Sequence, residues 1–150
     1  MKTWQLVNIL LSAAVSGMFW GPWLALTRSM PRFEPDFMLP LVRRLSRNMA
    51  QVMTVLMPAA LLSAVPVLVL SYDGHRRTFF LTLAALALFV VALVVTAAVE
   101  VPIVTRIGTW TVDTLPDDWQ GLRDRWGRFH LVRIGASVTG VALLLVAAVY

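Results

Sequence analysis

Residues 79–99 read FFLTLAALALFVVALVVTAAV, a run without a single charged side chain. As an α-helix it is about 31 Å long at 1.5 Å per residue, close to the roughly 30 Å hydrocarbon core of a bilayer. Inside lipid only helices and closed barrels satisfy their own backbone, and this run lacks the two-residue alternation of a barrel strand. It reads as a membrane-spanning helix. Three other apolar stretches behave alike, giving spans at about 4–25, 49–71, 78–104 and 126–150. The expected fold is all-α: a single transmembrane domain over residues 1–150, an up-down-up-down four-helix bundle with two longer loops on one side.

Composition agrees. Hydrophobic residues make up 59% of the chain and charged ones 14%, against about a quarter charged in soluble domains. The net charge of +5 does not mark a nucleic-acid surface, because the arginines flank apolar segments rather than forming an exposed stripe. Cysteine is absent, which excludes disulfides, thiolate metal sites and cysteine catalysis. The opening MKTWQLVNILLSAAVSG imitates a signal peptide, yet apolar character continues through Phe19, Trp20 and Trp23. That length predicts a retained helix rather than a cleaved leader.

The connections differ between the two ends. One end has the N-terminus, YDGHRR and the bare C-terminus. The other has TRSMPRFEPDFMLPLVRRLSRN and RIGTWTVDTLPDDWQGLRDRW, and carries ten of the thirteen Lys/Arg residues. The positive-inside rule predicts that this elaborate end is cytoplasmic. Arg28, Arg43, Arg44, Arg47 and Arg106 are expected mainly as contacts to lipid headgroups. Gly17 with Gly21, and Ala136 with Gly140, make small-xxx-small pairs that suit close helix approach, within one chain or in a homo-oligomer. Pro58, Pro66 and Pro102 are expected to kink their helices or to mark their ends.

The fourth helix is predicted to begin before its membrane portion. TLPD offers Thr114 as an N-cap with Asp117 three residues later, and the helix would run from Asp117 to Tyr150, about 50 Å. At 100° per residue, Trp119, Arg123, Trp126, His130, Arg133 and Ser137 share one side, Arg128 points away, and Asp124 and Arg125 lie on the flanks. Seventeen apolar residues follow Arg133, about 25 Å of helix, so Arg133 lies near the elaborate boundary. The antiparallel third span covers about 33 Å from Thr78 to Val99, which brings Glu100 to the same level. Trp20, Trp23, Asn48 and Gln51 join them by the same depth argument. His75 belongs to the opposite end.

These residue types suit a pocket for a hydrophobic molecule with an acidic or phenolic proton. His130 is the natural proton acceptor, Glu100 a second base, and Arg133 or Arg123 a cation for a developing oxyanion. Trp20, Trp23 and Trp126 offer flat walls and Asn48 a polar contact. Each feature also has a plainer role. Tryptophans favour membrane interfaces whatever the function, and a buried Glu100–Arg133 pair also serves as structural glue. One histidine with one carboxylate is too few for an ordinary metal site, so no cofactor is expected and a metal has only thin support. Nucleophile elbows, phosphate loops and dinucleotide fingerprints are absent.

Three stretches, WGPWLALTR, VEVPIVTRIGTW and LPDDWQGLRDRWGRFHLVR, resemble the anthrone oxygenase-like family of small four-helix membrane proteins. The resemblance implies oxidation of an anthrone to an anthraquinone by O₂ without an obvious cofactor. Under it, His130 would remove a ring proton, Arg133 would steady the phenolate-like anion, and tryptophans would sandwich the rings. Family members associated with that activity carry asparagines around the Val-Pro pair, where this chain has Glu100 and Val104. Two classes of function follow: a membrane oxygenase acting on a lipophilic aromatic or quinone-like molecule, and a non-enzymatic membrane module that binds a small molecule or serves a larger complex.

Overall fold

The computed structural model describes all residues, Met1–Tyr150. Four long helices account for nearly the whole chain: α1 (Lys2–Ala25), α2 (Pro35–Ser71), α3 (Arg76–Gly108) and α4 (Trp119–Val149). Each is long and apolar enough to cross a bilayer. The chain is a membrane protein with an all-helical bundle fold.

Each helix packs on its neighbours in sequence, and α4 closes the ring against α1. Polar side chains fix this order from within. On α1, Gln5, Asn8, Ser12 and Ser16 recur every three or four residues, and all four are buried. Asn8 Nδ2 donates to Ser63 Oγ (2.8 Å) and to the Ala60 carbonyl (3.1 Å) on α2. Ser16 and Ser137 share a 3.0 Å hydrogen bond between α1 and α4. Gln5 Nε2 and Thr78 Oγ1 both donate to the Ala147 carbonyl, drawing the plain ends of α1, α3 and α4 together. Such interhelical hydrogen bonds substitute for a hydrophobic force that lipid tails do not supply.

Gly140 provides the closest approach. A Cβ there would lie 2.8 Å from Phe89 Cε2, so its small size is spent on α3 inside the chain. Gly17 and Gly21 have open space beside them.

Several predicted boundaries move. The second helix begins at Pro35, not near residue 49, so much of the first elaborate connection is helical. The signals are Glu34 in extended conformation, Pro35 in the first turn and Asp36 behind it, all suited to a helix start. Met38, Leu39 and Val42 then form a buried stripe against Ile103, Ile107, Trp110 and Trp126. The third helix runs on past residue 104 to Gly108. The fourth starts at Trp119, with Asp118 before it and no side-chain cap. Thr114 instead closes a 3₁₀ turn, Val112–Thr114, whose N-cap is Thr111: the Thr114 Oγ1 accepts from Thr111 N at 2.9 Å in a capping box. Pro58 and Pro66 both lie inside α2.

Arg43 is not chiefly a headgroup contact. It reaches from α2 to donate to the Gly108 carbonyl (3.0 Å) and to the Trp110 carbonyl. These carbonyls lie at the C-terminus of α3, where a cation suits both the orphan acceptors and the helix dipole.

Candidate functional site

The site begins with a fault in α3. Over Thr96–Glu100 the helix widens into a π turn, with Val101 N bonded to the Thr96 carbonyl. Pro102 follows directly, and its ring cannot donate a backbone hydrogen bond and crowds the carbonyl four residues back. The extra residue relieves that conflict and sets Thr96 and Glu100, one wide turn apart, toward the same arginine.

That arginine is Arg133 on α4. Its Nη1 donates to Thr96 Oγ1 (3.1 Å), and its Nη2 lies 3.3 Å from Glu100 Oε2 and 2.7 Å from His130 Nδ1. Its guanidinium also stands 4.3 Å from the centre of the Phe19 ring, a cation–π contact with α1. Arginine only donates, so His130 Nδ1 accepts and the imidazole proton sits on Nε2. Nε2 then donates to the Phe19 carbonyl at 3.0 Å. Trp126, one turn earlier, stacks on the imidazole with ring centroids 5.3 Å apart.

Glu100, His130 and Arg133 are 3%, 2% and 7% exposed. Charges so buried are costly unless they meet partners, and here an opposite pair and a histidine meet inside one shell. The shell is not complete. Glu100 Oε1, Arg133 Nε and Trp126 Nε1 are buried without hydrogen-bond partners. One acceptor and two donors are left over.

These residues form one wall of a part-open cavity of about 140 Å³. The opposite wall is Leu45, Met49 and Met53 of α2, with Phe19 and Val104 beside them. The volume is similar to the roughly 150 Å³ apolar cavity known to take up one benzene ring. A larger flat molecule would seat one ring and extend through the opening.

The residues predicted for this site separate into groups. Glu100, His130 and Arg133 come together as the depth argument requires, with Trp126 beside them. Trp20 is 46% exposed and turned outward, and Asn48 and Gln51 are exposed on α2. Trp23 and Arg123 line a neighbouring cavity, not this one. Phe19, Thr96, Met49 and Met53 were not anticipated. Thr96 carried a readable hint, a hydroxyl four residues before Glu100. The apolar lining carried none. No three His, Cys, Asp or Glu residues gather as a metal-binding group.

The family profile described as Anthrone oxygenase matches residues 45–143. The chain belongs to the anthrone oxygenase family. The match takes in Glu100, His130, Arg133, Trp126 and the α2 lining, together with VEVPIVTRIGTW and LPDDWQGLRDRWGRFHLVR. WGPWLALTR and Phe19 on α1 lie outside it. No curated protein and no solved structure matches the chain. This anthrone oxygenase family member therefore joins a family-typical segment to an α1 helix whose carbonyl and ring complete the site.

Proposed function

We propose that the chain is a membrane-embedded oxygenase that takes a lipophilic aromatic ketone or phenol, of the anthrone kind, into the Glu100–His130–Arg133 cavity. One observation carries the reading: a buried acid–histidine–arginine cluster with unpaired hydrogen-bonding atoms forms the wall of an otherwise apolar, ring-sized cavity. An anthrone offers the matching groups. Its keto oxygen accepts from the spare donors, Trp126 Nε1 or Arg133 Nε, and its acidic methylene proton needs an acceptor.

His130 was the first acceptor to consider from the sequence. Both its nitrogens are engaged within the protein, with Arg133 and with Phe19, whereas Glu100 keeps one oxygen free. A carboxylate turns easily about its last torsion, so Glu100 presents an oxygen to the cavity at small cost. In this reading Glu100 takes the methylene proton, and His130, fixed between Arg133 and the Phe19 carbonyl, keeps the guanidinium beside the carboxylate. Arg133 balances the enolate charge spread over the rings. The electron-rich carbanion then reacts with O₂. The methylene carbon loses two hydrogens and gains one oxygen as a carbonyl, and the second oxygen atom leaves as water. Dioxygen thereby accepts the four electrons the ring system gives up.

The test is anthrone turnover in air by the purified, detergent-solubilised chain, followed by anthraquinone absorbance. Glu100→Gln should cut turnover by about 10²-fold or more, the usual range for a general base, and His130→Ala should lower it by freeing Arg133 from its position. Unchanged rates in both variants would remove the catalytic assignment. The same mutual engagement of His130 and Arg133 favours a second reading, a binder without turnover. A chain that retains the anthrone at equilibrium but forms no quinone would support it.

A further inference from the structure

The neighbouring cavity, about 290 Å³, lies at the same end of the bundle, between α4 and the end of α1 with the 3₁₀ turn Thr27–Arg32 that follows it. Thr27 and Trp126 line both cavities, so the two share a wall. Its other lining is different in kind. Arg28, Arg123 and Arg128 surround it with Asp124 as the single carboxylate, and Trp23 forms one side.

Arg123 is the unusual member. It is 9% exposed, and both its Nε and its Nη2 meet one oxygen of Asp124 at 3.1 Å. Its guanidinium stacks 5.1 Å from the Trp119 ring. Nη1 is left for another acceptor. Arg28 and Arg128 are exposed and stand around the same space. Three cations against one carboxylate leave a net positive pocket, at the depth where tryptophans and arginines meet lipid headgroups. On the bilayer side, Leu131 continues the lining and is 48% exposed, an apolar track for a hydrocarbon chain.

We propose that this cavity binds one anionic phospholipid, its phosphate among Arg28, Arg123 and Arg128 and an acyl chain along Leu131. Guanidinium forks match phosphate oxygens in pairs, and a lipid alone among phosphate carriers supplies both the charge and the chain. The site is independent of the activity proposed for its neighbour.

Native mass spectrometry of the full chain in detergent, with added phosphatidylglycerol or phosphatidylcholine, tests it. The wild type should retain one phosphatidylglycerol and no comparable phosphatidylcholine. Arg28→Gln with Arg128→Gln, both exposed and safe for folding, should weaken retention by about fivefold for each arginine removed. Arg123→Gln should weaken it at least as much, with circular dichroism verifying that the helices persist. Equal retention of the two lipids overturns the proposal, as does unaltered phosphatidylglycerol binding in the variants. Displacement by inorganic phosphate at constant ionic strength would give the site to a soluble anion and overturn the lipid.

Discussion

Arg133 is the residue on which the interior turns. It bonds Thr96, faces Glu100 and His130, and stacks on Phe19, so one side chain joins three of the four helices. Removing it alone strands the Glu100 carboxylate in a buried apolar setting. Arg133→Leu should cost about 3–5 kcal/mol, as broken buried pairs do, and lower the thermal midpoint in detergent accordingly. Replacing both partners, Glu100→Leu with Arg133→Leu, should cost far less or nothing, because neither charge then needs a partner. A double variant as unstable as the single would mean that Arg133 acts through packing rather than charge. Arg133→Lys should not substitute, since an ammonium cannot span Thr96 and His130 from one rigid fork.

At the level of elements, the π turn decides whether α3 carries chemistry. Deleting Ala97 takes the extra residue out of the widened turn and leaves an ordinary α-helical turn ahead of Pro102. The Thr96–Glu100 spacing shortens by one residue, which shifts both side chains relative to the Arg133 guanidinium, and Pro102 again crowds the carbonyl four residues back. The deletion should abolish the proposed turnover while the far-ultraviolet circular dichroism remains helical; preserved turnover would show that the widened turn is dispensable. The α3–α4 contact is the other sensitive feature. Phe89 is 3% exposed and has no room to retreat from a side chain at Gly140. Gly140→Leu should destabilise the bundle by about 1–3 kcal/mol, the usual cost of overpacking, read as a lower thermal midpoint.

For the molecule as a whole, spans and depth were legible because lipid makes both a matter of length. Counting rises from opposite ends brought Glu100 and Arg133 to one level, and the 3.6-residue period put His130 with them. The period alone aligns Thr96 with Glu100, but it gave no sign of the π turn or of the hydroxyl's bond to Arg133. It was also blind to a one-position error: Trp20 looked equivalent to its neighbours, but Phe19 faces the site and Trp20 the outside. The charged start of α2 read as a loop because its buried stripe is only three residues wide. The absence of cysteine makes the remaining question of orientation direct to address. Asp113→Cys and Asp73→Cys place single thiols at opposite ends. The arginine bias predicts that a membrane-impermeant maleimide labels Asp73→Cys in intact cells and reaches Asp113→Cys only after lysis; the reverse pattern would invert the chain.

The polar row on α1 has a bearing on how the protein is made. Gln5 and Ser16 find their partners, the Ala147 carbonyl and Ser137, on α4, which is synthesised after the other three helices. Until then α1 carries Gln5 and Ser16 without these interhelical partners. These bonds form only once α4 is in place, so a chain ending before Ser137 should show a less stable α1–α2 pair, read as faster proteolysis than the full chain.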